Sequence, residues 1–337
     1  RAVDKAKGYR RIVEPVNCGA RHRRFILLSR YAAVIAVIVV VGIIWGVRGR
    51  VDRAIPVMQT REITPGGMKA KLILATGKNV LLDTLALEVT TIWEAGATIQ
   101  KSGGVLTYEN VGKEDARPME VVYNTLEVPR GGEYDVVLED GTRVWLNADS
   151  RLKYPVVFPG SERRVILEGE AYFHVTASKE HPFIVKTKDM DVMVTGTEFN
   201  VKAYSDEMNV QTTLLQGVVT VFSGFEKKEK MEIKPNQQAE WCRRSVKMRV
   251  REVDPDLFMA WKNGRFIFRQ DRLEDIMRTL ARWYGVEVVY LDESVKSMLF
   301  AGKLDRSEEI TPILDVLRTT DKLSVDVKGK KIVIGLK

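Results

Sequence analysis

From about residue 61 to 250 the chain alternates apolar and polar positions over short runs, each closed by Gly, Pro, Asn or Asp. A period of two predicts strands with one face buried. "EYDVVLEDGTRVWLN" reads as strand, Asp140-Gly141 turn, strand. "RRVILEGEAYFHV" repeats the device at Glu168-Gly169, and "QTTLLQGVVTVF" at Gln216-Gly217. Strand follows strand without an amphipathic helix between them, which predicts a mainly-β domain over 61–250, sandwich-like or solenoid-like. "DMDVMVTGTEFNVKAY" stands out. It alternates on both sides of Gly196-Thr197, yet glycine weakens a strand and supplies no packing. The glycine marks a bulge or turn, or the backbone there has a job.

One hairpin occurs twice. "PGGMKAKLILATGKNVLLD" (65–83) aligns without gaps on "PRGGEYDVVLEDGTRVWLN" (129–147), matching Leu74 with Leu138 and Gly77 with Gly141. The match predicts an internal duplication. Near residue 255 the period changes. "DRLEDIMRTLARWYG" puts Leu273, Ile276, Met277, Leu280 and Ala281 on one helical face, with Asp271 as cap and Gly285 as stop. "SEEITPILDVLRTT" is a second helix with Ile310, Ile313, Leu314 and Leu317 on its apolar face, capped by Ser307 or by Thr311. With the intervening strands, residues 255–337 read as a small α+β domain of order βαββαββ, its helices packed on one sheet.

Upstream lies a different signal. "YAAVIAVIVVVGIIWGV", Tyr31 to Val47, carries no charge and is bracketed by Arg30 and Arg48. As a helix it spans roughly 25 Å, enough to cross a bilayer once flanking arginines snorkel. No small-residue cleavage site follows it, so a transmembrane helix is expected rather than a signal peptide. Residues 48–60 then form a linker. Net charge is +8, but residues 1–30 hold nine basic and two acidic groups, so the rest is close to neutral. That excludes a basic nucleic-acid face on the large domains and places the N-terminus on the cytoplasmic side. Cys18 and Cys242 then lie on opposite sides of the membrane and do not pair. The chain starts at Arg1 rather than Met, so its natural N-terminus is expected to be missing.

Catalytic chemistry is thin. Of three histidines, His22 lies in the basic tail, while His174 and His181 have no ligand partner at metal spacing. Glu168 and Glu170 bracket a predicted turn and read as solvated rather than as a glycosidase pair. Gly66-Gly67, Gly103-Gly104 and Gly131-Gly132 precede strands and lack a phosphate-loop Lys. Trp93, Trp145, Trp241, Trp261 and Trp283 read as packing residues rather than a sugar platform. No cofactor or metal is called for, and no residues assemble a nucleophile, base and oxyanion hole.

The run "PRGGEYDVVLEDGTRVWLNADSRLKYPVVF…RRVILEGEAYFHV…PFIVKT…VTGTEFNVKAY…TTLLQGVVTV" resembles the FecR family of membrane-bound anti-sigma factors. "WKNGRFIFRQDRLEDIMRTLARWYGVEV" is similar to the C-terminal domain of that family, a fold akin to the secretin/TonB short N-terminal domain. The resemblance implies cytoplasmic helices holding an extracytoplasmic-function sigma factor, one inner-membrane span, and periplasmic domains that read the signalling domain of a TonB-dependent transporter. Residues 1–30 would be a remnant of the sigma-binding region. It also implies self-cleavage at a Gly-Thr bond, here Gly196-Thr197, by attack of the Thr hydroxyl on the preceding carbonyl. The alternative is a periplasmic ligand-binding or envelope scaffold protein that shares the β domain.

Overall fold

Alternation becomes pairing in the computed structural model, which describes residues 63–337 apart from 84–89, 103, 111–120 and 224–228. The apolar run Tyr31–Val47 lies outside the described residues. Among those described, no helix is long and apolar enough to cross a membrane. Arg61–Lys337 forms one compact unit.

In chain order the strands begin with β1 (Gly67–Ile73), β2 (Asn79–Asp83), β3 (Thr90–Glu94), β4 (Ala97–Ser102) and β5 (Val105–Asn110). Next come β6 (Tyr123–Val128), β7 (Gly132–Val137), β8 (Arg143–Leu146), β9 (Ser150–Pro155) and β10 (Arg163–His174). They continue as β11 (Phe183–Lys186), β12 (Met190–Val194), β13 (Glu198–Ala203) and β14 (Asn209–Gln216). The last four of the region are β15 (Val219–Ser223), β16 (Glu229–Ile233), β17 (Gln237–Cys242) and β18 (Lys247–Glu252).

These strands form two long sheets. The first runs β2-β1-β6-β9-β10-β11-β12-β15-β16. The second runs β3-β4-β5-β7-β8-β10-β13-β14-β17-β18. Their inner faces meet in one apolar core that includes Leu72, Leu126 and Leu152 from the first sheet and Val136, Phe173, Phe199 and Leu214 from the second. Phe173 stacks on Phe199 at 5.1 Å and tilts against Phe183 of the opposite sheet. This is a β-sandwich, as the short alternating runs predict.

The Asp140-Gly141 hairpin forms as expected, joining β7 to β8. Two other expected hairpins do not. Glu168-Gly169 lies inside a single strand: β10 pairs with β9 and β11 through residue 168, and with β8 and β13 from Gly169 onward. The strand bends at Gly169 and passes from one sheet to the other. A side chain there meets Ser150 Cα at 2.7 Å, and φ is +98°. Gln216-Gly217 likewise joins strands of different sheets, since β14 pairs with β13 and β17 whereas β15 pairs with β12 and β16. Polar-glycine pairs between strands mark turns and sheet crossings alike, and alternation does not separate the two.

The repeated hairpin recurs in its backbone bonds. Leu74 N–H donates to Lys78 O at 3.0 Å and Gly77 N–H to Leu74 O at 2.8 Å. Leu138 N–H donates to Thr142 O and Gly141 N–H to Leu138 O, both at 2.9 Å. One copy sits in each sheet, and β1 meets β7 in parallel at Gly67 and Gly132.

Beyond the sandwich, helix α1 (Pro255–Met259) and a 3₁₀ turn (Ala260–Asn263) lead into the C-terminal segment. Its order is β19 (Arg265–Arg272), α2 (Leu273–Tyr284), β20 (Glu287–Tyr290), β21 (Leu299–Asp305), α3 (Ile310–Thr319), β22 (Leu323–Lys328) and β23 (Lys331–Leu336). The βαββαββ order agrees with the expectation, but the strands form two sheets rather than one. β19 pairs with β21, and β20-β23-β22 form a separate three-stranded sheet. The expected helix faces are buried, and Gly285 ends α2 in the left-handed region. The N-caps differ from expectation. Arg272 precedes α2 and Glu309 precedes α3, neither with a side-chain cap. The Asp271 carboxylate instead accepts from Arg269 N–H at 2.9 Å, held by a strand irregularity beside it.

Candidate functional site

Gly196 sits where the chain leaves β12 in the first sheet and enters β13 in the second. Its φ is +147°, and a Cβ there would lie 2.8 Å from both Cα and Cβ of Ala177. The close approach of the 175–178 segment therefore requires glycine. Backbone bonds flank the site: Ser178 N–H donates to Thr195 O at 2.8 Å and Val175 N–H to Thr197 O at 3.1 Å. Gly217, at the next crossing, faces this bond. A Cβ at 217 would stand 2.9 Å from Thr197 Oγ1 and 3.0 Å from Gly196 O. Thr197 is buried, and its hydroxyl donates to Val218 O at 3.2 Å. A carbonyl oxygen orients that hydroxyl but does not take its proton as a base would. The neighbouring Glu198 carboxylate is occupied by the Tyr172 hydroxyl at 2.6 Å, with His174 Nδ1 at 3.8 Å.

A second constellation lies where the C-terminal segment covers the outer face of the second sheet. β10 alternates buried and exposed through residue 168 and is then continuously buried from 169 to 173. Both faces of the second sheet are covered there, so polar residues fall inside and must pair. Glu170 is one of them. Its carboxylate accepts from Asn147 Nδ2 at 2.9 Å and Asn200 Nδ2 at 3.0 Å, whereas Glu168 is exposed. The expectation that both are solvated thus fails at Glu170. The reason is the segment docked above it.

Two buried arginines make much of that docking. Arg306, between β21 and α3, lies 3.6 Å over the Trp283 ring and bonds to Trp261 O, Asn147 Oδ1 and Glu133 at 2.9, 3.1 and 3.2 Å. Burial pulls its guanidinium below the ordinary value, opposed by Glu133. Burial also pushes the Glu133 carboxyl up, opposed by Arg306. Arg282, on α2, lies 3.6 Å over the Tyr204 ring and reaches Asp206 and Glu207 at 2.5 Å each. Burial works against charge on Glu207, but Lys202 and Arg282 outweigh it and hold that carboxyl below its ordinary value. Trp261 Nε1–H donates to Asn200 Oδ1 at 3.2 Å. Lys262 Nζ stands 4.3 Å over Trp145 and 4.5 Å over Tyr172. A cleft of about 1070 Å³, lined in part by Lys202, Gln211, Arg249, Phe258 and Phe268, remains beside the junction.

Sequence reasoning missed Arg282 and Arg306. Arg282 is off the apolar stripe of its helix, and Arg306 lies in a short connection, so hydrophobic period carries no signal for either. Trp145, Trp261 and Trp283 serve packing as expected, but Trp93 is exposed on the edge strand β3. His174 and His181 are exposed, and no metal-binding cluster occurs among the described residues.

The C-terminal segment is thus clamped onto the β-sandwich through two buried arginines. Family models match both: the FecR protein model matches residues 124–220, and the FecR C-terminal model matches residues 265–334. Two regions of the chain, one in the sandwich and one in the C-terminal segment, therefore match FecR-family models, which supports an anti-sigma role. Among solved structures, two crystal structures described as a candidate anti-sigma factor from Parabacteroides distasonis ATCC 8503, at 1.65 and 2.50 Å resolution, are similar. Each has a TM-score of 0.59 and 28% identity, covers 99% of its own chain and spans 63% or 64% of this one. No curated protein sequence matches this chain significantly.

Proposed function

We propose that this anti-sigma regulator is a single-pass inner-membrane protein that relays a signal from a TonB-dependent outer-membrane transporter to an extracytoplasmic-function sigma factor. Residues 31–47 form the span, residues 1–30 belong to the cytoplasmic sigma-binding side, and the sandwich and C-terminal segment lie in the periplasm. The family match over both the sandwich and the C-terminal segment carries the reading. The charge-free run with its basic N-terminal flank supports the topology. The C-terminal segment supplies a docking edge: β21 pairs with β19 alone among the described strands, and most of its residues are exposed. Unpaired strand edges accept an added strand from a partner, here the transporter's signalling domain. Protease added to spheroplasts is expected to digest residues 61–337 while a cytoplasmic control survives. Protection of that region until lysis would overturn the orientation and the relay with it.

A further inference from the structure

β13 is held from outside the sandwich at its middle and just beyond its end. Trp261 grips it at Asn200, Arg282 grips the turn beyond its end at Asp206 and Glu207, and Lys202 ties back to Glu207 at 2.9 Å. The same turn is gripped from the sandwich side. Arg243 bonds to Tyr204 O at 2.8 Å, Ser205 O at 3.3 Å and Glu207 O, and pairs with Asp189 at 2.8 Å. Residues 204–207 are thus pinched between one arginine of each half. The strand lies inside the second sheet, between β10 and β14, and its first residue follows Thr197 directly.

We propose that β13 and the turn 204–207 are the coupling element of the molecule, through which a displacement of the C-terminal segment reaches the interior of the sandwich and the Gly196-Thr197 crossing. A strand hydrogen-bonded on both sides is stiff along its axis, and six residues carry a shift roughly 20 Å. The other junction contacts end elsewhere: Arg306 acts on Asn147 and Glu133, and Lys262 on Trp145 and Tyr172. Coupling of this kind is read as local opening that spreads beyond the mutated contact.

Hydrogen exchange on the full chain tests it with Arg282→Gln, Trp261→Phe and a control, Arg278→Gln. Arg278 lies on the same helix and pairs only with Glu274 and Asp275 of that helix among the described residues. We expect amides of residues 196–208 to exchange about tenfold faster in Arg282→Gln and in Trp261→Phe. Protection in β22 and β23 should stay unchanged, and the control should behave as the parent chain. Faster exchange confined to α2 and the 260–263 turn, or a uniform rise over 63–337, overturns the proposal. Should Arg282→Gln fail to fold, Trp261→Phe carries the test alone, because it keeps an aromatic ring and the main-chain carbonyl that Arg306 uses while removing the donor to Asn200.

Discussion

At Gly196-Thr197 packing alone fixes the geometry of the dipeptide. Glycine admits the close approach of Ala177 and the unusual φ, and the buried Thr197 hydroxyl donates to Val218 O. If this chain breaks itself, we expect the break between these two residues. The Thr hydroxyl would attack the Gly196 carbonyl carbon, the amide nitrogen would leave as the new N-terminal amine, and water would open the resulting ester. Mass spectrometry of residues 61–337 after long incubation is the measurement. Thr197→Ala should then give one intact chain, while Thr197→Ser keeps partial cleavage. Fragments that persist in Thr197→Ala place the chemistry elsewhere, and an intact parent chain leaves Gly196 with its packing role alone.

At the scale of elements, β10 carries the clearest lesson. Through residue 168 it is a half-exposed strand of the first sheet, and from Gly169 it is a doubly covered strand of the second. Gly169→Ala would need a left-handed φ for a residue with a Cβ, and that Cβ would overlap the Ser150 backbone. The cost is about 3 kcal/mol, combining backbone strain with overpacking. A fall in Tm of about 5 °C follows for a unit of this size. A loss under 1 °C would mean that the bend tolerates a side chain. The strands themselves were legible because alternation reports a buried face, and the apolar stripes of α2 and α3 were legible for the same reason. The sheet crossings at Gly169, Gly196 and Gly217 were not, since a glycine between two apolar runs signals a change of direction without saying which sheet receives the chain. Nor was Glu170. Its burial comes from residues 91 and more positions away, in Trp261 and Arg306, a tertiary effect invisible to local pattern. The caps failed for a related reason: the strand irregularity beside Asp271 turned its carboxylate to the Arg269 amide.

The whole molecule, in the proposed topology, must present one surface to the transporter while staying rigid enough to pass a signal on. The C-terminal segment shares its packing with the sandwich. Ala148 of the sandwich belongs to its apolar cluster, and Gly131 N–H donates to Arg282 O at 2.7 Å. Binding is therefore best measured on residues 61–337 rather than on the segment alone. Within it β21 is the edge we assign to docking. Leu299 is 60% exposed there, an apolar side chain that a solvated edge does not need. Leu299→Asp puts a charge on that edge, the means by which natural sheets block strand addition. Calorimetry against the purified signalling domain of the cognate transporter should show affinity about tenfold weaker, which is about 1.4 kcal/mol. Val327 lies on the edge strand β22 of the other sheet and is also exposed, so Val327→Asp should bind like the parent. Equal affinity for Leu299→Asp, or a loss confined to Val327→Asp, would move the docking edge to the three-stranded sheet. Hydrogen exchange with the partner bound then distinguishes strand addition from side-chain docking, because an added strand protects the outward amides of residues 299–305 and a surface contact leaves them open.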